Sequence, residues 1–404
     1  MKYADLRCVV AVTAALAAVV LGAVAAPAAR AERYTDVPAS HWARTYIEAI
    51  TERGPAGHKI LDDYGTVFKP ETAITRALLA RSLVIAGGHY GEQVEPVVIN
   101  DVPATYRYFS IIQIALHHGY LKLDAAGDFR PAEAVPAATA EVSVVRWLKE
   151  RYASSDWRLL TSLAPSRWEP NPDWKTGAPS YLPFIVASRQ LLLRFNHSAA
   201  GDGHEVAPRD PIDRAEVAYM LWRGFKLQSE YGLWGLTNFS DITLPILSDR
   251  QKAITRFALR LVGYPYVWGG EYPTRNSPYG YQEAPGFDCS GFVFYIMKMH
   301  FGYPITVDER GASAMAARAK PRLTRSQLKS GDLIFFGPSG PQSKVESIYH
   351  AALYLGRGWF IQSTGSSDGV SLASLNSSSY WKGAFAWGRR LLTPAELTVT
   401  APGT

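Results

Sequence analysis

A chain of 404 residues with 47% hydrophobic and 19% charged side chains, uninterrupted by any long low-complexity tract, is ample for two or more packed units. Its formal net charge of +6 is mildly basic, which suits an anionic environment without demanding nucleic acid. No metal-ligand cluster, phosphate loop or nucleic-acid motif is legible, so no cofactor, no metal and no nucleic-acid partner is expected.

Residues 1–31 read as an export signal. Lys2 and Arg7 give a basic start, Val9 to Ala26 an apolar run, and Ala29-Arg30-Ala31 a small-x-small cleavage site. The apolar run would also serve as an anchor, but Pro27 and the cleavage site favour removal, with no stable membrane insertion afterwards. Cys8 leaves with the signal and precedes the apolar run, so it is badly placed for lipid attachment.

From Tyr34 to about Gln228 the chain repeats itself loosely, in segments near 34–90, 99–152 and 178–228. Asp36-Val37-Pro38-Ala39 through Gly54 matches Asp101-Val102-Pro103-Ala104 through Gly119 in length, with helical apolar spacing in both. Phe68-Lys69-Pro70 and Phe129-Arg130-Pro131 follow, each before a second predicted helix. The third copy keeps only Val206-Ala207-Pro208 and Pro211-Ile212-Asp213-Arg214-Ala215-Glu216. A helix, loop and helix cannot bury its apolar face alone, so such units come in sets. The pattern resembles three S-layer homology repeats. That resemblance implies an all-α region binding an acidic secondary polymer of a cell wall, with Arg76 of Ile74-Thr75-Arg76-Ala77 and Arg214 of Ile212-Asp213-Arg214-Ala215 at the binding grooves. A guanidinium offers a carboxylate a planar pair of donors. The middle copy reads Val135-Pro136-Ala137-Ala138 and lacks the arginine.

Residues 229–245 carry Trp234 and Phe239 and are too apolar for a free linker, so they are expected to pack. The eleven tryptophans are scattered, which fits core and interface packing better than a carbohydrate-stacking face.

In the last part, Gly286-Phe287-Asp288-Cys289-Ser290-Gly291-Phe292-Val293 sets a cysteine between an Asp and an apolar run that continues as a predicted helix. Unpaired N–H groups and the macrodipole at a helix start favour thiolate over thiol. After signal removal Cys289 has no intramolecular disulfide partner and is free for chemistry. Downstream of residue 204 only His300 and His350 could act as its base. His300 lies eleven residues along the same helix, about 16 Å away at 1.5 Å per residue, which leaves His350. His350 opens a predicted strand to Gly356, and Gly356-Arg357-Gly358 turns into Trp359-Phe360-Ile361-Gln362. A three-residue loop would bring Gln362 onto the face of His350, whereas a two-residue loop would send it to the other.

Asp288-Cys289-Ser290-Gly291-Phe292, Pro265-Tyr266-Val267-Trp268-Gly269-Gly270, Ser330-Gly331-Asp332-Leu333-Ile334-Phe335-Phe336 and the strand from His350 together resemble the NlpC-type cell-wall cysteine peptidases. The resemblance implies an α+β papain-like domain over 246–404, with Cys289 as nucleophile and His350 as base. It implies Gln362 as the imidazole-orienting residue, with Nδ1–H of His350 donated to its amide oxygen, and Tyr266, Asp288 and Ser290 in substrate binding. The substrate implied is a peptidoglycan stem peptide, cut between D-glutamate and the following diamino acid. Gln362 stands where the family usually has His, which keeps open a non-catalytic peptide-binding scaffold; a cysteine amidase cutting the sugar-peptide link shares the same Cys-His logic. The whole is read as a secreted, wall-associated multidomain protein, all-α repeats followed by a papain-like hydrolase.

Overall fold

The computed structural model describes residues 33–52, 54, 57–153, 181–227, 244–376 and 378–399. The expected signal, and the expected connector up to residue 243, lie outside these. Leu244 and Leu247, at the end of the connector, are buried. No helix among the described residues is long and apolar enough to cross a membrane.

The N-terminal part holds three helix pairs: α1 (Arg44–Thr51) with α2 (Arg76–Gly87), α3 (Phe109–His117) with α4 (Ala137–Arg151), and α5 (Leu182–Gln190) with α6 (Arg214–Lys226). The Asp that opens the first two copies has one physical task in both. Asp36 accepts the N–H groups of Phe68 and Lys69 at 2.9 and 2.6 Å, and Asp101 those of Phe129 and Arg130 at 2.7 and 2.6 Å. Lys69 and Arg130 are both left-handed, at φ 62° and 56°, so the carboxylate pins a turn that a non-glycine residue resists.

The residue two before each second helix joins a closed ring of hydrogen bonds. Ile74 N–H donates to Ile212 O (3.0 Å), Ile212 N–H to Val135 O (2.9 Å) and Val135 N–H to Ile74 O (2.9 Å). The N–H groups that every helix start leaves over are taken up by the neighbouring unit in the opposite sense around the ring. Arg76 and Ala77 donate to Glu133 O and Pro131 O, Ala137 and Ala138 to Asp210 O and Pro208 O, and Arg214 and Ala215 to Thr72 O and Pro70 O.

The C-terminal part starts with α7 (Asp249–Leu259), runs through short strands β1 (Glu271–Tyr272), β2 (Asn276–Ser277), β3 (Gly280–Tyr281) and β4 (Gly286–Phe287), and enters α8 (Cys289–Phe294), which continues π-helically over Tyr295–His300. After α9 (Ala312–Ala317) come β5 (Leu333–Phe336), β6 (His350–Gly356), β7 (Trp359–Thr364), β8 (Gly369–Ser374), α10 (Ser379–Ala384) and β9 (Phe385–Arg389). The last five strands form one antiparallel sheet in the order β8-β7-β6-β5-β9. All seven residues of β6 are buried, and α8, whose Phe292, Val293 and Phe294 are buried, packs on β6 and β7. Asp332, fully buried at the head of β5, is held by Arg390 at 2.8 and 2.7 Å, which satisfies a charge that burial would otherwise penalise.

The two parts meet through buried charge rather than an apolar seam alone. Arg189 on α5 reaches Asp368 Oδ2 (2.5 Å) and Gly263 O (2.6 Å), with its side chain fully buried. Arg194 lies among Glu141, Glu216 and Glu205, at 3.4, 3.3 and 3.9 Å. Asn196 donates to Gly365 O (2.9 Å), and Asp202 accepts the N–H of Trp268 (3.0 Å). The third helix pair therefore holds backbone of the C-terminal part directly. Removing one partner of a buried pair strands the other, at a typical cost of about 3–5 kcal/mol. Arg189→Ala is expected to lower the chemical-denaturation stability of the full chain by that order; an unchanged midpoint would show the interface to be dispensable.

Candidate active site

Cys289 is the first residue of α8, and Asp288 is its N-cap, accepting the N–H of Gly291 at 2.6 Å. The Ser290 hydroxyl donates to the same oxygen at 3.0 Å. Arg310, just before α9, ties the start of the helix to its surroundings. Its Nη1 donates to Asp288 Oδ1 (3.1 Å) and Ser290 Oγ (2.9 Å), its Nε to Glu271 (2.8 Å) and its Nη2 to Gly270 O (2.8 Å). Glycine is required at 291 because a Cβ there would fall on Gly270 O and the Arg310 guanidinium. Asp288 and Ser290 line the cleft, and the carboxylate is already matched by Arg310 and by the helix start.

The cleft has a volume of about 580 Å³, with Cys289, Tyr266, Asp288, Ser290 and Arg310 in its wall and Trp268, Tyr279, Tyr281 and Tyr349 around it. Trp268 and Tyr281 are each 72% exposed, which gives the cleft an apolar yet accessible rim. The Cys289 thiol lies 4.0 Å from Tyr349 O and is faced by the N–H of Ala351, so β6 presents to the sulfur the residues on either side of His350. Burial, and after it the Asp288 charge, push the thiol up to about 11. Burial, with the capping carboxylate behind it, thus opposes the charge that the helix start was expected to favour.

His350, 6% exposed, has its Nε2 2.6 Å from Gln362 Oε1, and the rings of Phe336 and Trp381 close over it at 5.6 and 5.1 Å. Burial holds the imidazole down to about 4, with Gln362 and Asp288 pulling weakly the other way. An amide oxygen accepts, so Nε2 carries the proton and Nδ1 is the basic atom, the reverse of the expected assignment.

The hairpin reaches the expected register by a different route. Gly356 pairs with Trp359, leaving a two-residue loop in which Arg357 and Gly358 are both left-handed, at φ 49° and 89°. The register then shifts between Tyr354 and Gly356, and Leu353 faces Ile361. One extra residue in the bulge reverses the face that a two-residue loop alone would give, and Gln362 comes onto the side of His350. His300, by contrast, stacks on Phe257 with ring centres 3.5 Å apart and takes no part in this arrangement.

The two arginines of the helix pairs are placed differently from each other. Arg76 donates to Phe129 O (2.6 Å) and Lys122 O (2.8 Å) and borders a cavity of about 250 Å³ with Lys122, Tyr120 and Arg146. Arg214 is 1% exposed and donates to Phe68 O (2.9 Å) and Asp62 O. The expected polymer contact is corrected for Arg214: ring closure buries it as a staple between the third unit and the first. Among the described residues, His89, Glu92 and His118 bring ligand atoms within 4.8 Å of one another, a grouping that no spacing in the sequence signals.

Sequence reasoning did not find Arg310, Trp381 or the Tyr279-Gly280-Tyr281 hairpin. The exposed tyrosines flanking a glycine in a turn-rich stretch were a readable sign of a rim; Arg310 carried no local signal.

Residues 263–390 match the model of the NlpC/P60 family. The chain is 34% identical over 161 residues to murein DD-endopeptidase MepH of Escherichia coli, covering 37% of this chain and 52% of that protein. It is 33% identical over 141 residues to gamma-DL-glutamyl hydrolase of Bacillus subtilis (35% and 30% covered), and 33% identical over 153 residues to gamma-D-glutamyl-L-lysine dipeptidyl-peptidase of Bacillus cereus (38% and 39% covered). The chain thus spans about half or less of the length of these relatives.

Since burial is the first cause of the low His350 basicity, opening its cover should reverse it. NMR titration is expected to place His350 near 4 in the full chain, and Trp381→Ala should raise it toward the ordinary imidazole value of about 6.5. A midpoint that does not move would assign the depression to something other than this cover.

Proposed function

We propose that the protein is a wall-associated cysteine endopeptidase acting on peptidoglycan stem peptides. The observation that carries this reading is the seating of Cys289, at a helix start, against the first residues of β6, with His350 on that strand and its Nε2–H held by Gln362. In this reading His350 Nδ1 takes the thiol proton and the sulfur attacks the amide carbonyl. The oxyanion forms beside the Cys289 N–H, the amine leaves with the proton, and water then releases the acyl group. The resting pair is uncharged, thiol high and imidazole low. Transfer creates the two charges side by side, where each stabilises the other, so the proton moves as the amide docks rather than beforehand.

The bond is that between D-glutamate and the diamino acid, supported by the motif resemblance and by the name of the Bacillus cereus relative. The name of the Escherichia coli relative favours a second reading, a DD cross-link, and product masses separate the two. The Gln362 contact argues against a binding-only scaffold, since a glutamine turned onto His350 supplies what a base needs for orientation. Export and a wall location follow from the N-terminal signal and from this substrate.

The three helix pairs are read as S-layer homology repeats that hold the enzyme on an acidic wall polymer. The matching Asp36 and Asp101 clamps and the closed hydrogen-bond ring support this, and the cavity beside Arg76, with Lys122 and Arg146, is its binding groove.

Cys289→Ala is expected to reduce stem-peptide cleavage to background while the protein stays folded, and Gln362→Ala to lower kcat by roughly 10- to 100-fold, as losing a group that orients an imidazole does. Equal cleavage by Cys289→Ala and the parent protein would remove the thiol from the chemistry. His350 must be neutral to act, so activity falls as the pH drops through its folded value. The acid limb of kcat/KM is expected near 4, and a limb at about 6.5 would contradict the burial argument. Arg76→Ala is expected to weaken co-sedimentation with cell walls, more at low salt than at high, because salt already screens the parent protein; undiminished sedimentation would take Arg76 out of the groove.

A further inference from the structure

The C-terminal ends of α2, α3 and α4 meet at a cluster of two histidines and two glutamates remote in sequence from the cleft. His118 is the C-cap of α3, His89 follows the left-handed Gly88 that ends α2, and Glu150 lies in the last turn of α4. The two imidazoles stack with centres 3.7 Å apart. On one side Glu150 Oε1 is 3.1 Å from His89 Nε2 and 2.9 Å from His118 Nδ1. On the other, Glu92 Oε2 is 3.0 Å from His89 Nδ1 and 2.9 Å from His118 Nε2.

A neutral imidazole has one N–H to give. If both rings donate to Glu150, both turn a lone pair toward Glu92, and lone pair against carboxylate at 3 Å is repulsive. Opposite tautomers would leave each glutamate facing one lone pair. With both N–H groups on Glu150, a single cation shared by Glu92 and the two lone pairs removes that repulsion at both rings.

The remaining contacts suit it. A metal-bound histidine usually gives its other N–H to a carboxylate, and Glu150 is placed to accept from both rings while its second oxygen takes the Tyr120 hydroxyl. Two nitrogens and one carboxylate oxygen is a donor set that suits zinc and neighbouring transition metals rather than magnesium or calcium. A cavity of about 280 Å³ borders the cluster on its Glu150 side, with His89 and Tyr120 in its wall.

We propose that His89, His118 and Glu92 form a binding site for one divalent transition-metal ion of the zinc class, with Glu150 orienting both imidazoles. The ion would clamp the ends of three helices drawn from the first two helix pairs, a structural role independent of the chemistry at Cys289.

The test is zinc binding by the full chain carrying Cys289→Ala, so that the thiol does not compete, after chelator treatment and with zinc chloride as probe. One equivalent should bind in titration calorimetry, and the thermal midpoint should rise by roughly 5 °C or more at free zinc about 100-fold above Kd. Glu92→Gln, a partly exposed change that keeps the side-chain shape, should weaken binding at least tenfold, and His118→Gln should abolish it. Far-UV circular dichroism checks that both variants are folded. Absence of stoichiometric binding, or equal binding by Glu92→Gln and the parent, would overturn the proposal.

Discussion

The cleft depends on how the start of α8 is held. Four groups converge on it: the Asp288 cap, the Arg310 guanidinium, the Gly270 carbonyl and the Glu271 carboxylate. A helix start offers N–H groups and needs an acceptor, and here the acceptor is a charge that in turn needs a cation. The same arrangement places Cys289 against β6, where burial first, and the Asp288 charge after it, push the thiol pKa up. The local requirement of the fold and that of a nucleophile therefore pull in opposite directions. Under the proposed mechanism the two are reconciled by proton transfer to His350, rather than a standing thiolate, as the step that activates the sulfur.

The N-terminal part is more than an appendage to this site. Asp202 holds the Trp268 N–H in the loop that carries Tyr266, and Arg189 holds Asp368 and Gly263 behind it. Burying that much charge is costly unless each member is matched, so the two parts are expected to be stable together and poorer apart. These contacts hold the cleft at a fixed orientation to the helix pairs.

Much of this was legible in the sequence, and the rest failed for identifiable physical reasons. The Cys289 and His350 elements could be read because helix start and strand period are local properties. The repeat of Asp36 and Asp101 could be read because both copies need the same carboxylate for the same left-handed turn. The hairpin register was reached through the wrong loop, since Gly356-Arg357-Gly358 is compatible with either closure and only tertiary packing selects the bulge at Leu355. Arg214 looked like a ligand for the same reason that Arg76 did; that ring closure would bury one and leave the other at a cavity depends on which unit follows which. Arg310 and the His89, Glu92 and His118 cluster were invisible because their partners lie on different elements, and no spacing rule connects them.

The central claim is that the chemistry is hydrolysis of a stem-peptide amide by this site. Its most direct test is the mass spectrum of fragments released from a purified disaccharide-tetrapeptide by the full chain. The account predicts a sugar fragment ending in D-glutamate together with a free diamino acid–D-alanine dipeptide. Intact substrate, or an intact tetrapeptide freed from its sugar, would contradict it.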